Sequence, residues 1–226
     1  MEIFKYTRQK YKQAALERGS IRLGTLFDYR KTESHGIQIG DEREGRITLE
    51  GTLENLTHEH TEGHSALERI VKLGPGATIG KLVVSNLRLE SENLFVFSIS
   101  SAFSELALLE WNKDPHARYD SCYQINSARL FFKAISQAIS DRATFLGFGS
   151  VHYYDSSAPI QLASPLARLH PGQLKGGITH GHQIEIRAFW RPIESTAIEP
   201  MSIEIPELRK YVANKFTLAS SSSQEA

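Results

Sequence analysis

From His182 to Trp190 the chain alternates, and an alternation of this length fixes both a secondary structure and the two faces it presents. Read as a strand, with successive side chains on opposite sides, the run puts Gln183, Glu185, Arg187 and Phe189 on one face. Ile184, Ile186, Ala188 and Trp190 take the other, which demands a core to cover it. The first face carries an amide, a carboxylate and a guanidinium at successive same-side positions. That set is either a site or an ordinary strand salt bridge, and spacing alone does not choose between them.

Other segments supply the rest of a mixed α+β domain. Glu2 to Thr7 reads as a first strand and Arg8 to Arg18 as a helix, closed by Gly19 in the left-handed conformation. The next strand sets Ile21 and Leu23 against Arg22, which falls on the opposite face. Asp28 to Gly45 is polar, dense in charge and punctuated by glycine, and reads as a functional loop. β-like pieces follow at Arg46 to Leu49 and Ala77 to Leu89, then a strand at Leu94 to Ser100 with Ser98 and Ser100 as a small polar edge. Ser101 to Trp111 reads as helix, Ser121 to Ile125 as strand, and Ser127 to Ser140 as an amphipathic helix with Asn126 as its cap. Val151 to Asp155 alternates, and Ser202 to Ile205 suits an edge strand. Pro206 suits the first turn of a terminal helix running to about Phe216. Residues 1–216 are thus expected to form a single domain, and 217–226 a disordered Ser-rich tail.

Composition narrows the function classes. With 26 basic and 26 acidic residues, the formal net charge of zero gives no global attraction to nucleic acid or acidic membrane, so any such affinity has to be local. One cysteine, Cys122, excludes an internal disulfide and a cysteine-rich zinc site, and suits a reducing compartment. No apolar run approaches the roughly 20 residues of a membrane helix, and the N-terminus lacks the pattern of a secretory signal. A cytoplasmic protein with no membrane partner is expected.

Several chemistries fail on spacing. Gly74 to Lys81 has Pro75 where the first glycine of a phosphate loop belongs, and Leu82 in place of its metal-binding hydroxyl. Gly147-Phe148-Gly149-Ser150 lacks the glycine two residues beyond the serine that a hydrolase elbow requires. His58, His60 and His64, and the pair His180 and His182, lack the helical spacing of a zinc protease, and no metal is expected. Cys122 shows no neighbouring base that would make it a nucleophile.

What survives is an order of pieces: Arg22 on an early strand, the loop at Tyr29 and Arg30, Ser98-Ile99-Ser100, and Gln183-x-Glu185. This order resembles the arginine-class ADP-ribosyltransferases, with an early strand arginine, a Ser-x-Ser strand and a Gln/Glu-x-Glu motif. A second resemblance spans most of residues 2–192. It rests on Phe4-Lys5-Tyr6, Gly19 to Leu23, Asp41 with Glu44, Phe97-Ser98, Trp111, and Glu185 with Arg187. It is to a bacterial domain family of unknown function found among phage-defence and toxin-like genes.

The resemblances imply an ADP-ribosyltransferase-like split β-sheet core with flanking helices. They also imply an enzyme that moves ADP-ribose from NAD, as substrate, to a nucleic acid or protein acceptor. A toxin-like role with an antitoxin protein as partner goes with them, and a binding or sensor module that keeps the fold without catalysis is the alternative. Breaking the nicotinamide–ribose bond develops oxocarbenium character. Glu185 would then stabilise that charge, Gln183 would sit by the acceptor, and Tyr29 would stack on nicotinamide. Lys5, Tyr6 and Thr7 occupy the first-strand position of cofactor-binding residues. Arg22 or Arg30, with Arg8 as a rival, would grip the diphosphate. Ser98 and Ser100 would order the ribose, and Arg187 would hold Glu185 ionised.

Overall fold

Segments with period two become strands and those with apolar residues three or four apart become helices. The computed structural model describes residues 2–31, 40–62, 64, 66–114, 116, 118–177, 184–194 and 197–218. In chain order the elements are β1 (Ile3–Thr7), α1 (Gln9–Arg18), β2 (Ser20–Thr25), β3 (Arg46–Thr57), β4 (Thr78–Glu90) and β5 (Phe95–Ser100). There follow α2 (Glu105–Lys113), β6 (Ser121–Ile125), α3 (Ala128–Ala138), β7 (Ala143–Ser150), β8 (His152–Tyr154) and β9 (Ile160–Gln161). The chain closes with β10 (Leu174–Gly176), β11 (Glu185–Pro192), β12 (Met201–Glu204) and β13 (Val212–Thr217). Gly19 ends α1 at φ 67, where a Cβ would lie 2.0 Å from the Ile205 carbonyl oxygen, so both conformation and space require glycine.

Strand β5 is the hub of the main sheet. Along one edge it pairs with β11 from Phe95↔Trp190 to Ser100↔Glu185, and β11 in turn pairs with β7. The opposite edge forks: β2 takes only Phe95 and Val96, while β1 meets only Ser100. Among the described residues no strand pairs with that edge between them. From the fork, β1 leads on to β6 and β13, and β2 leads to β12. The strands therefore part around α1, and a cleft opens between β1 and β2.

One face of the hub is apolar throughout. Phe97, Ile99, Ile186, Ala188 and Trp190 pack with Phe131, Phe132 and Ile135 of α3 in the principal core. The other face changes character along its length. At one end Val96 and Phe189 join Leu26 and Leu94 in a small apolar cluster, and at the other end stand Ser98, Ser100, Arg187 and Glu185. A separate core lies under the long β3–β4 hairpin, where Ile47, Leu49 and Leu56 meet Leu67, Ile160 and Leu174. The described residues include no helix long and apolar enough to cross a membrane.

Four expectations are corrected. The terminal helix is instead a short 3₁₀ turn, Pro206–Lys210, followed by β13. Proline opens either kind of turn, and the free edge of β6 captures Val212 to Thr217. Thr217, placed in the tail, instead pairs with Ser121, and the Leu218 N–H donates to the Asp120 carbonyl at 2.8 Å. Residues 219–226 lie outside the described set. The N-cap of α3 is Ser127, without a side-chain bond, and Asn126 lies one residue before it, its N–H donating to the Tyr211 carbonyl at 2.9 Å. Ile184 leaves the apolar face: it precedes β11 with φ 42 and is 51% exposed.

Candidate functional site

Cross-strand register assembles the site. Glu185 stands opposite Ser100 and Arg187 opposite Ser98, so the two motifs read separately in the sequence become one surface. Arg187, 2% exposed, is its anchor. Its Nε donates to Glu185 Oε1 at 2.7 Å and its Nη1 to the Gly172 carbonyl at 2.9 Å. The Nη1 and Nη2 atoms also grip both oxygens of Glu44, the latter at 3.0 Å. Glu44 is fully buried and reaches the guanidinium from the turn that precedes β3. One arginine thus holds two carboxylates from distant parts of the chain.

Glu185 has further partners. The Tyr153 hydroxyl donates to Oε2 at 3.3 Å, Lys175 Nζ lies 3.8 Å from the same oxygen, and Ser98 also hydrogen-bonds the carboxylate. Burial alone would raise the carboxyl pKa; the charges of Arg187 and Lys175 and the bonds from Arg187 and Ser98 outweigh it and hold the group at about 2. Glu44 moves the other way, because complete burial outweighs the pull of Arg187. Two carboxylates on one guanidinium are therefore driven apart, and Glu185 is the one fixed as an anion.

The backbone at this point is strained. Ile184 is β-branched and adopts positive φ immediately before Glu185, while its carbonyl accepts from the Ser101 N–H at 3.0 Å. Conformations of this kind cost about 1–3 kcal/mol and persist where surroundings enforce them. The consequence is local: Ile184 is turned to solvent and Glu185 inward.

Glu185 and Arg187 line a small cavity of about 70 Å³ together with Lys5, Tyr29, Ser98, Ser100, Trp111 and Lys175. Lys5, Tyr6, Tyr29 and Tyr119 are shared with a neighbouring cavity of about 490 Å³, which occupies the fork between β1 and β2. Thr7, Arg8 and Arg22 line this second space. Lys5 stands at the junction, with its Nζ donating to the Ser98 carbonyl at 2.7 Å. Burial lowers its pKa to about 8, with Glu185 pulling upward and Arg22 downward, so it is a cation at neutral pH. The indole Nε1 of Trp111 is buried without a hydrogen-bond partner among the described residues.

The structure brings together Glu185, Arg187, Tyr29, Lys5, Tyr6, Ser98 and Ser100 at the small cavity, and Thr7 and Arg22 at the larger one. Arg22 is exposed and paired with Asp28 at 2.8 Å. Tyr6 is chiefly a packing residue: its hydroxyl accepts from the Ser104 N–H at 2.6 Å, and its ring meets Trp111 at 4.5 Å. Arg30 lines neither cavity. Its guanidinium binds the Glu44 carbonyl and the Glu90 carboxylate and lies 3.8 Å from the Phe27 ring centroid, leaving Arg22 and Arg8 as the cleft arginines. Gln183 lies outside the described residues.

Glu44, Lys175 and Tyr153 are additions that sequence reading did not assign to the site. Only the Asp41-x-x-Glu44 spacing hinted at the first. His58, His60 and His64 each serve local backbone: His58 Nδ1 is 2.8 Å from the Leu73 carbonyl, His60 Nδ1 accepts from the Thr57 N–H, and His64 Nδ1 from the Leu67 N–H. Among the described residues no three metal-ligating side chains converge. No family model, curated protein or solved structure matches the chain.

Proposed function

We propose that the protein is an NAD-consuming ADP-ribosyltransferase and that the forked sheet is the split core of that fold. The observation that carries the reading is a fixed, ionised Glu185 at the end of a cavity that continues into a larger cleft bearing Arg8, Arg22 and Lys5. The small cavity admits only the reacting end of a dinucleotide, so the diphosphate has to lie in the larger one, within reach of these cations.

In this reading the bond between the nicotinamide nitrogen and ribose C1′ breaks, and its electron pair leaves with nicotinamide. An acceptor nucleophile then bonds to C1′ and gives up its proton to solvent. Glu185, anionic and already oriented by Arg187, opposes the positive charge that develops on the ribose. A carboxyl with a pKa of about 2 is a weak base, so its contribution is electrostatic rather than proton removal. Tyr29 lines both cavities and Ser98 and Ser100 line the smaller one; in this reading the tyrosine covers the nicotinamide and the serines order the ribose.

A second reading has its own observation. Both oxygens of Glu185 are engaged by protein donors, which is also how a purely structural ion pair looks. A binding or sensor module that keeps the cleft without chemistry is that alternative. Nicotinamide release from labelled NAD decides between them, measured for wild type and Glu185→Gln in lysate that supplies nucleic acid and protein acceptors. Release by wild type, lowered about 10²- to 10³-fold in the variant, supports the transferase. Equal background from both proteins supports the binding module.

A further inference from the structure

Behind the wall of the site lies an open groove of about 970 Å³ that none of the proposed chemistry uses. Its long side is the polar face of the β3–β4 hairpin. The register Arg46↔Glu90 and Thr48↔Arg88 sets these four side chains together, while Ile47, Leu49, Leu87 and Leu89 face the second core. Its other side is the segment from Tyr154 to Pro159, and Arg43 projects from the turn between.

The charge of this groove is unbalanced. Among its described lining residues Glu90 is the single acid, and it is shared by two guanidinium groups, Arg46 at 3.2 Å and Arg30 from behind. Arg43 spends its guanidinium on the neutral Ser156 carbonyl. The Arg88 side chain makes no ion pair or hydrogen bond with the described residues, and it is exposed. Other acids stand close by without lining the groove: Glu42 and Glu44 flank Arg43 in the chain, Asp41 lies near Tyr154, and Asp155 accepts from the Ser157 N–H at 2.9 Å. Against a whole-chain charge of zero, this is a local concentration of arginine beside a half-buried tyrosine and the side chains of Asn86 and Ser157. Arginines suit phosphate oxygens, a tyrosine suits the face of an unstacked base, and amide and hydroxyl groups suit base edges.

The groove is also joined to the candidate site by covalent neighbours. Arg43 precedes Glu44, which grips Arg187, and Tyr154 follows Tyr153, which bonds Glu185. We infer that this groove binds a single strand of nucleic acid through its phosphodiester backbone, with Tyr154 stacking a base. The strand is then the acceptor of the transfer, a step that rests on the transferase reading; the binding itself does not.

Fluorescence anisotropy of labelled single-stranded RNA and DNA oligonucleotides, titrated with the full chain over a salt series, tests this. Three arginine contacts predict a slope of log K against log salt of about −2. Arg43→Glu with Arg88→Glu should weaken binding at low salt at least about tenfold and flatten the slope by about one or more, whereas Lys133→Glu on the exposed face of α3 should do neither. Absence of binding at low salt, an affinity that the double variant leaves unchanged, an equal loss in Lys133→Glu, or equal competition by poly-glutamate would each overturn the inference. NAD turnover is read on the same preparations. Oligonucleotide binding without turnover leaves the groove standing and removes the transferase; turnover without binding does the reverse.

Discussion

Arg187 serves two carboxylates away from water, and Glu90 serves two arginines on a surface that is half in it. The groups and distances are similar, since the closest contacts of both clusters are short charge-assisted bonds. The surroundings differ. Arg187 and Glu44 have almost no exposed side-chain surface, whereas Arg46 and Glu90 have about half of theirs exposed, at 52% and 48%. A buried charge that loses its partner pays a desolvation cost that an exposed one recovers from solvent and salt. The inner cluster should therefore be rigid and intolerant of change. The outer one is free to exchange its partners for a ligand.

The largest expected effect is at the anchor. Arg187→Ala leaves Glu44 buried without its cation and Glu185 with only Lys175, Tyr153 and Ser98. Unfolding in urea should show a loss of about 3–5 kcal/mol. Arg187→Lys keeps a charge but cannot serve two carboxylates in one plane, and should fall between. If both variants unfold like wild type, the inner cluster is no different in kind from the outer one and the comparison fails.

Next in size is Glu185→Gln, which leaves Arg187 its pair with Glu44. Its effect belongs in turnover, with the fall of about 10²- to 10³-fold already given, while the fold is retained. The same variant has a signature in acid. A carboxylate whose folded pKa is about 2, against an ordinary 4.5, contributes stability that is present above pH 4.5 and is lost as pH falls toward 2. Glu44, shifted upward, acts in the opposite sense, so the useful quantity is the difference between the two proteins. Wild type should lose stability relative to Glu185→Gln over that interval, measured by urea unfolding at each pH. Parallel curves would mean that Glu185 is not held as an anion in the folded protein.

Legibility in the sequence followed the range of each pattern. The face of β11, the Ser98 and Ser100 edge, Lys5 to Thr7 on β1 and the outward Arg22 could all be read, because a period of two is written in consecutive residues. Glu44, Lys175 and Tyr153 could not: Glu44 comes from a turn, and Lys175 and Tyr153 from two three-residue strands, β10 and β8, that pair only with each other. Nothing local marks such residues as converging on Arg187. Strand β7 escaped reading because Gly147 and Gly149 interrupt its alternation of side chains, and in the structure Gly147 has φ 130. The fork of the sheet was equally invisible, since it depends on β5 sharing one edge between two strands. It is nonetheless the feature that opens the cleft.

The smallest effect is the outer counterpart of the first. Arg46→Ala removes an exposed contact to Glu90 and leaves Arg30 to hold that carboxylate, so stability should change by about 0.2–1 kcal/mol. Raising the salt should shrink even this difference, whereas it should scarcely touch the loss in Arg187→Ala. Oligonucleotide binding should respond in the reverse order of stability: Arg46→Ala removes one phosphate contact and about 0.7 from the salt slope, while Glu185→Gln leaves both affinity and slope unchanged. A groove variant that unfolds the protein, or a Glu185 variant that weakens oligonucleotide binding, would show that the two clusters form one unit. The distinction between a buried cluster intolerant of change and an exposed one able to exchange partners would then be lost.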